Sequence, residues 1–367
     1  MIIIKRFIFI LSVCFIILPE LSGQEAVRIG IDGLSHDHIH GLLRNISLRQ
    51  DIQLVGIAEN DQNLADRLIK QYGLDRNIVY SDLSEMIEKT HPQGVVAFGS
   101  IYGHLHTVEV CAPKGIHVMV EKPLAVNSKH AKRMYELATK NHIQLLTNYE
   151  TSWYPAHFRA FDLATAEDSI GRMNKILVND GHKGPVEIGC SKEFLAWLTD
   201  PVLNGGGAVT DFGCYGANLT TWLMQNTRPL TVTAVLQTVK PDVYPQVDDQ
   251  ATIVLAYPHV QAILQGSWNW PLDRKDMEIY GREGYIKVSN ANDVELRRNR
   301  NAPLEKFRIV EFPFDAKDPF NYFAKVISGD IKVNATDLAS MENNMIVVEI
   351  LDAAKRSAKE GKTIHLK

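Results

Sequence analysis

Between Ala26 and Leu146 the chain alternates short apolar runs with stretches of helical spacing, and nothing else in the sequence restricts its fold as much. Val27–Ile31, Gln53–Ala58, Gly94–Phe98, His117–Val120 and Ile143–Leu146 are rich in Val, Ile and Leu and read as strands. His38–Leu48, Gln62–Tyr72, Leu83–Lys89, His104–Lys114 and Ser128–Asn141 separate them and read as helices. Repeated strand–helix units of this length impose a parallel sheet covered on both faces, because each crossover lays its helix on the sheet. Residues 24–148 are therefore expected to form a doubly wound α/β domain.

The pattern changes after Asn148. Met173–Asn179, Leu230–Thr238, Gln250–Ala256, Val260–Trp268, Asp276–Tyr280, Tyr285–Val288 and Val294–Arg298 follow one another mostly without helices between them. Residues 149–367 are thus expected as an α+β domain on a largely antiparallel, open sheet. Helices at Ala156–Ala164 and Tyr215–Met224 would cover one face, and a last helix, Ala339–Lys359, would stop at Gly361. The uncovered face predicts burial against further copies of the chain, in a homodimer or homotetramer.

Composition excludes several classes. With 45% hydrophobic and 22% charged residues, the chain is neither disordered nor fibrous. Its 39 basic and 43 acidic side chains lack the basic excess of a nucleic-acid binder. The extreme N-terminus is different: Lys5 and Arg6 precede an apolar run, Phe7–Leu18, that exits at Gly23. Spanning a bilayer takes about 20 apolar residues, so residues 1–23 read as a secretory signal. An exported protein follows, periplasmic or secreted, with no membrane attachment after cleavage. Cys111, Cys190 and Cys214 would remain, an odd number that argues for reduced thiols rather than a disulfide framework.

The first strand runs into Gly33-Leu34-Ser35-His36-Asp37-His38. A dinucleotide turn needs glycine where a pyrophosphate approaches backbone N–H groups at a helix N-terminus. Here G-x-G-x-x-G becomes Gly33-x-Ser35-x-x-His38, with Ser35 small enough to touch a phosphate or cap the helix. Glu59 follows the second strand, where a carboxylate hydrogen-bonds the adenosine ribose and repels a 2′-phosphate, so NAD is expected over NADP. His36 and His40 stand one helical turn apart, but no cysteine or carboxylate cluster beside them completes a metal set, and none is expected.

Three further motifs occur in order: His104-Leu105-His106, Glu121-Lys122-Pro123 at a strand end, and Gly205-Gly206-Gly207-Ala208-Val209-Thr210-Asp211-Phe212-Gly213-Cys214-Tyr215. Together they resemble the glucose–fructose oxidoreductase / inositol dehydrogenase / MocA (Gfo/Idh/MocA) family over essentially all of the chain after residue 23. The resemblance implies a Rossmann domain holding NAD against Gly33, Ser35, His36, His38, Glu59, His104, Glu121 and Lys122. It implies that Lys122 hydrogen-bonds the reacting hydroxyl, with Asp211 and Tyr215 assisting. Tyr215 stands where most members carry histidine, and resembles the glucose–fructose oxidoreductase branch. A phenol with a pKa of about 10 is a poor base unless a cation such as Lys122 stabilises its anion. Asp211, four residues earlier, would face the same side as Tyr215 on a helix that continued through both. Asn218 replaces a later aspartate of the family.

His182 and Lys183, in Gly181-His182-Lys183-Gly184-Pro185, are candidates to reach substrate from the second domain. Trp153 and Trp268, like Trp197 and Trp270, are candidates to stack on a sugar face. The resulting expectation is an exported oxidoreductase acting on CH–OH groups, passing hydride between a sugar, cyclitol or glycoside carbon and tightly held NAD. Two alternatives share the motifs: an NAD-dependent glycoside hydrolase or lyase that oxidises its sugar transiently, and a non-catalytic sugar- or nucleotide-binding protein. Free NAD is scarce outside the cytoplasm, which favours a cofactor recycled in place.

Overall fold

A computed structural model describes residues 25–166 and 168–366; the expected signal segment, 1–23, lies outside them. β1 (Val27–Asp32), β2 (Ile52–Ala58), β3 (Val79–Tyr80), β4 (Gly94–Ala97), β5 (His117–Glu121) and β6 (Leu145–Asn148) form a wholly parallel sheet in the order β3-β2-β1-β4-β5-β6. α1 (Ile39–Leu43), α2 (Gln62–Tyr72), α3 (Leu83–Thr90), α4 (His104–Cys111) and α5 (Ser128–Asn141) make the crossovers. β4 is buried along its whole length, which is why these strands read as continuous apolar runs. The doubly wound sheet is as expected, with β3 added; two half-buried residues are too few to show a period. The order reverses between β1 and β4, and at that switch point the strand ends open a crevice.

The chain continues through α6 (Pro155–Thr165), β7 (Met173–Gly181), α7 (Lys192–Leu198), α8 (Ala208–Asp211), α9 (Gly213–Leu223) and β8 (Thr231–Gln237). It then runs through β9 (Gln250–Ala256), β10 (Gln261–Ser267), β11 (Arg274–Gly281), β12 (Tyr285–Val288), β13 (Asp293–Arg297) and β14 (Glu305–Arg308), and ends with α10 (Pro319–Ser328), α11 (Met341–Glu360) and β15 (Ile364–His365). The second sheet has nine strands, β14-β13-β12-β11-β7-β10-β9-β8-β15, antiparallel except for the pair β7–β10. Burial alternates strictly along β9, where Ala251, Ile253 and Leu255 face the core that α9 and α11 complete. The outer face carries half-buried Leu177, Val254 and Ile263.

Several features lie outside the sequence reading. The backbone breaks at Phe212 (φ −111°, ψ −32°), so α8 and α9 are separate and no continuing helix puts Asp211 and Tyr215 on one face. Asn218 donates to Leu338 O at 2.9 Å and Asn343 Oδ1 at 2.8 Å, tying α9 to α11. α10, capped by Asp318, returns to the first sheet: Tyr322, Phe323 and Val326 share a core with Val27, Ile29 and Ile52. A boundary at residue 148 therefore divides the strands but not the core. Cys111, Cys190 and Cys214 are all free thiols, the first and last buried. Among the described residues no helix is long and apolar enough to cross a membrane.

Candidate active site

Two cavities lie at the carboxyl ends of the first sheet's strands, the first at β1, β2 and β4 and the second at β5. The first, of about 590 Å³, is lined by Gly33, Ser35, Glu59, Ser100, His104 and Thr107 among others. Gly33 has φ +81°, and a Cβ there would lie 2.8 Å from Gly99 N, so the turn requires glycine. Glu59 is buried; its Oε2 accepts from Leu34 N at 2.7 Å and its Oε1 from Asp61 N at 2.8 Å, so it closes the turn as well as facing the cleft. His104 shares a hydrogen bond with Leu124 O through Nδ1 at 3.1 Å, while Nε2 has no partner. Burial lowers its imidazole to about 4, leaving it neutral. The lining includes Asp32, Glu59, Asp61, Asp82 and Glu193 but no lysine or arginine. An orphaned imidazole nitrogen and a glycine cradle at a switch point fit a dinucleotide.

The second cavity, of about 520 Å³, lies beyond β5 and is lined by Lys122, Asp211, Tyr215 and His182 together with Glu150, Tyr154 and Lys275. Lys122, buried at the end of β5, donates to Asp211 O at 2.9 Å and forms a short ion pair with Asp211 Oδ1. Burial alone would depress the ammonium, but the Asp211 carboxylate holds it above its ordinary value. The same pairing outweighs burial at Asp211 and keeps its carboxyl below the usual range. Asp211 Oδ2 accepts from Trp268 Nε1 at 2.9 Å. Gly207 sets the approach: a Cβ there would lie 1.8 Å from Asp248 O, and Asp248 Oδ1 and Oδ2 accept from Gly207 N and Val209 N.

Tyr215 lies at the meeting point of two cations. Lys122 Nζ is 5.0 Å and Lys275 Nζ 5.1 Å from its ring centroid. Burial, with Glu150 and Asp211 nearby, pushes the phenol well above its ordinary value despite the two cations, which favours the neutral hydroxyl. Lys275 forms an ion pair with Glu150, which accepts from Tyr154 OH at 2.6 Å. Sequence reasoning passed over Lys275, Glu150 and Tyr154. The signal for Lys275 was period-two alternation, which puts it on the same face of β11 as buried Met277 and Ile279.

Other expected residues are placed differently. His36 lines neither cavity; it is buried against the rings of Phe194 and Trp197, with centroids 4.6 and 5.4 Å away, and burial drives its imidazole well below the ordinary range. His38 lines the second cavity rather than the first, with Nδ1 2.9 Å from Glu121 Oε2. Glu121 is buried behind the cavities; burial would raise it, but His38 and Asn148 hold it below its ordinary value. Lys183 is exposed and outside the cavity lining. Trp153 donates to Asn148, packs with Phe314 and Tyr322 and lines neither of these two cavities, and Trp268 is fully buried. His40 turns to Tyr72 OH at 2.7 Å; ligand atoms of His36, His38 and Glu121, not His40, lie within 4.8 Å of one another.

Residues 182–207 form a strap from the second domain over the first. Ser191 N donates to Asp37 at 2.9 Å, Arg67 pairs with Glu193 at 3.0 Å, and Tyr102 N donates to Leu203 O at 2.9 Å. α7, within this strap, stands between the cavities: Glu193 and Trp197 line one, Phe194 and Leu198 the other.

A dinucleotide crevice that adjoins a second chamber beside a buried lysine–aspartate pair suits hydride exchange between two bound molecules. The class so defined is a two-domain, NAD-binding oxidoreductase. Residues 27–149 match the oxidoreductase family with an NAD-binding Rossmann fold, and residues 158–287 match the GFO/IDH/MocA C-terminal domain. The chain belongs to the Gfo/Idh/MocA family, and is an NAD-dependent oxidoreductase acting on CH–OH groups. It is 26% identical over 272 residues to D-xylose 1-dehydrogenase [NADP(+)] of Haloarcula marismortui, covering 72% of this chain and 71% of that one. Its fold is similar to an inositol dehydrogenase homologue from Azotobacter vinelandii complexed with NAD+ (TM-score 0.78, 16% identity, 93% and 98% of the two chains). It is also similar to aldose-aldose oxidoreductase from Caulobacter crescentus complexed with glycerol (TM-score 0.77, 19% identity, 93% and 100%).

Proposed function

We propose that the protein exchanges hydride between a hydroxyl-bearing carbon of a sugar, cyclitol or glycoside and NAD that stays bound through the cycle. The observation that carries this is the buried Lys122–Asp211 pair facing the second cavity. NAD, when bound, accepts or returns the hydride. Lys122 handles the proton: as an ammonium it donates to the oxygen of a carbonyl being reduced, and as an amine it takes the proton back when an alcohol is oxidised. Asp211, held by Trp268, fixes the ammonium in place. Tyr215, neutral, is a hydrogen-bond donor to the substrate.

The carboxylates of the first cavity support NAD over NADP, since a 2′-phosphate would meet Glu59 and Asp61 with no lysine or arginine in the lining. The strap supports a cofactor that is retained. Retention in turn favours a second reading, a glycoside hydrolase or lyase in which the hydride returns to the same sugar. The signal-like residues 1–23 support export, and the half-buried apolar outer face of the second sheet supports a homodimer or homotetramer. The test is incubation of purified protein with NAD and panels of sugars, cyclitols and glycosides, following NADH and product separately. Lys122→Ala should bind NAD and lose turnover; full activity in that variant refutes the assignment. Release of a glycoside's leaving group without net NADH selects the hydrolase or lyase.

A further inference from the structure

The second cavity is larger than one pyranose ring needs, and its walls are divided by chemistry. About 520 Å³ is room for a drug-sized molecule. Lys122, Asp211, Glu150, Lys275 and His182 supply hydrogen-bonding groups suited to a ring bearing several hydroxyls. The strap side supplies Pro185, Ile188, Phe194, Leu198 and, from the α8–α9 break, Phe212. Pro185, Phe194, Leu198 and Phe212 are buried as a wall of the cavity, while Ile188, in the same lining, is 46% exposed and closes no core. An apolar wall that ends in an open isoleucine, beside the polar groups of the same chamber, suits a ligand with an apolar portion.

We infer that the substrate is a glycoside with an apolar, ring-containing aglycone: the sugar occupies the chamber at Lys122, and the aglycone lies on Pro185 and Ile188. This rests on the proposed sugar chemistry of the same site and specifies its substrate class. The loop carrying these residues is fixed from both ends. His182 N and Trp270 N hydrogen-bond Ser267 O and His182 O at 3.0 and 3.2 Å, and Ser191 N is held by Asp37. Tyr244 OH donates to Glu187 Oε2 at 2.5 Å and accepts from Val186 N at 3.2 Å. The apolar surface is thereby presented rather than free to fold away.

The probes are para-nitrophenyl and methyl glycosides of the common hexoses, both anomers, titrated by calorimetry into NAD-saturated protein. Burying one aromatic ring should make the aryl glycoside bind about ten- to a hundredfold more tightly than its methyl counterpart. Ile188→Ser, a surface change with little to disturb in folding, should remove most of that ratio. Equal binding of aryl and methyl glycosides, a ratio untouched by Ile188→Ser, or no binding across the panel would each overturn the inference. Binding with the expected ratio but without NADH or released nitrophenol would leave it standing and instead reject the proposed activity.

Discussion

Replacing Asp211 with Asn keeps the side chain's shape and an oxygen for Trp268, but leaves Lys122 buried without its charge partner. Removing one member of a buried pair costs about 3–5 kcal/mol. For a chain of this length that is a fall in Tm of about 4–7 °C near neutral pH, taking about 2.1 cal/mol/K of unfolding entropy per residue. The cost should depend on pH. In the wild type, Lys122 is raised above its unfolded value, so its contribution persists at neutral pH and is lost only as pH rises through that raised value. Asp211 is lowered, so its share is lost on the acid side, as pH falls through its folded value. In the variant, burial dominates Lys122 and depresses it; the unfolded chain then binds the extra proton, and the variant gains stability as pH rises. The Tm gap should be widest near neutrality and narrow towards about pH 10, and the variant's alcohol oxidation should rise at lower pH than the wild type's. Denaturation scans at several pH values, with oxidation rates beside them, read both. A gap that stays constant from neutral to alkaline pH would refute the electrostatic account of this pair.

The wild-type enzyme should reduce carbonyls well at neutral pH and oxidise alcohols faster as pH rises, because the amine form of Lys122 is scarce at neutrality; initial rates in both directions check this. Tyr215→Phe should cost far less than Lys122→Ala, whose loss is on the order of a thousandfold in kcat, since the phenol stays neutral; similar losses in kcat would show that Tyr215 transfers the proton. Arg67→Ala should speed NAD release no more than about fivefold, as an exposed ion pair is worth under about 1 kcal/mol, whereas Trp197→Ala should speed it more; stopped-flow release into excess competitor measures both. Wild-type protein should bind NAD at least about tenfold more tightly than NADP, and Glu59→Ser should narrow that ratio; titration calorimetry decides it.

The first sheet was legible because its strands are buried on both faces and leave uninterrupted apolar runs, as β4 shows. The candidate site was legible through motif order, and Lys122, Asp211 and Tyr215 do line one cavity. The route was not: a shared face for Asp211 and Tyr215 depended on a helix continuing through both, and the break at Phe212 lies in backbone angles that residue spacing does not reveal. The tryptophans show a different limit. An indole is apolar in any pattern count, and nothing local to Trp268 shows that its N–H meets a carboxylate 57 residues away. His36 was misplaced for a similar reason, since the rings that bury it belong to α7, more than 150 residues on. Local periodicity fixes which face of an element is buried, not which distant group meets it there.

The return of α10 to the first sheet has a consequence for how the protein is made. Tyr322, Phe323 and Val326 complete the core around Val27, Ile29 and Ile52, so the nucleotide-binding half lacks part of its interior until residues 319–328 have been made. An N-terminal half synthesised alone would expose the apolar strip that α10 covers. The first sheet therefore cannot finish its core before the second is made.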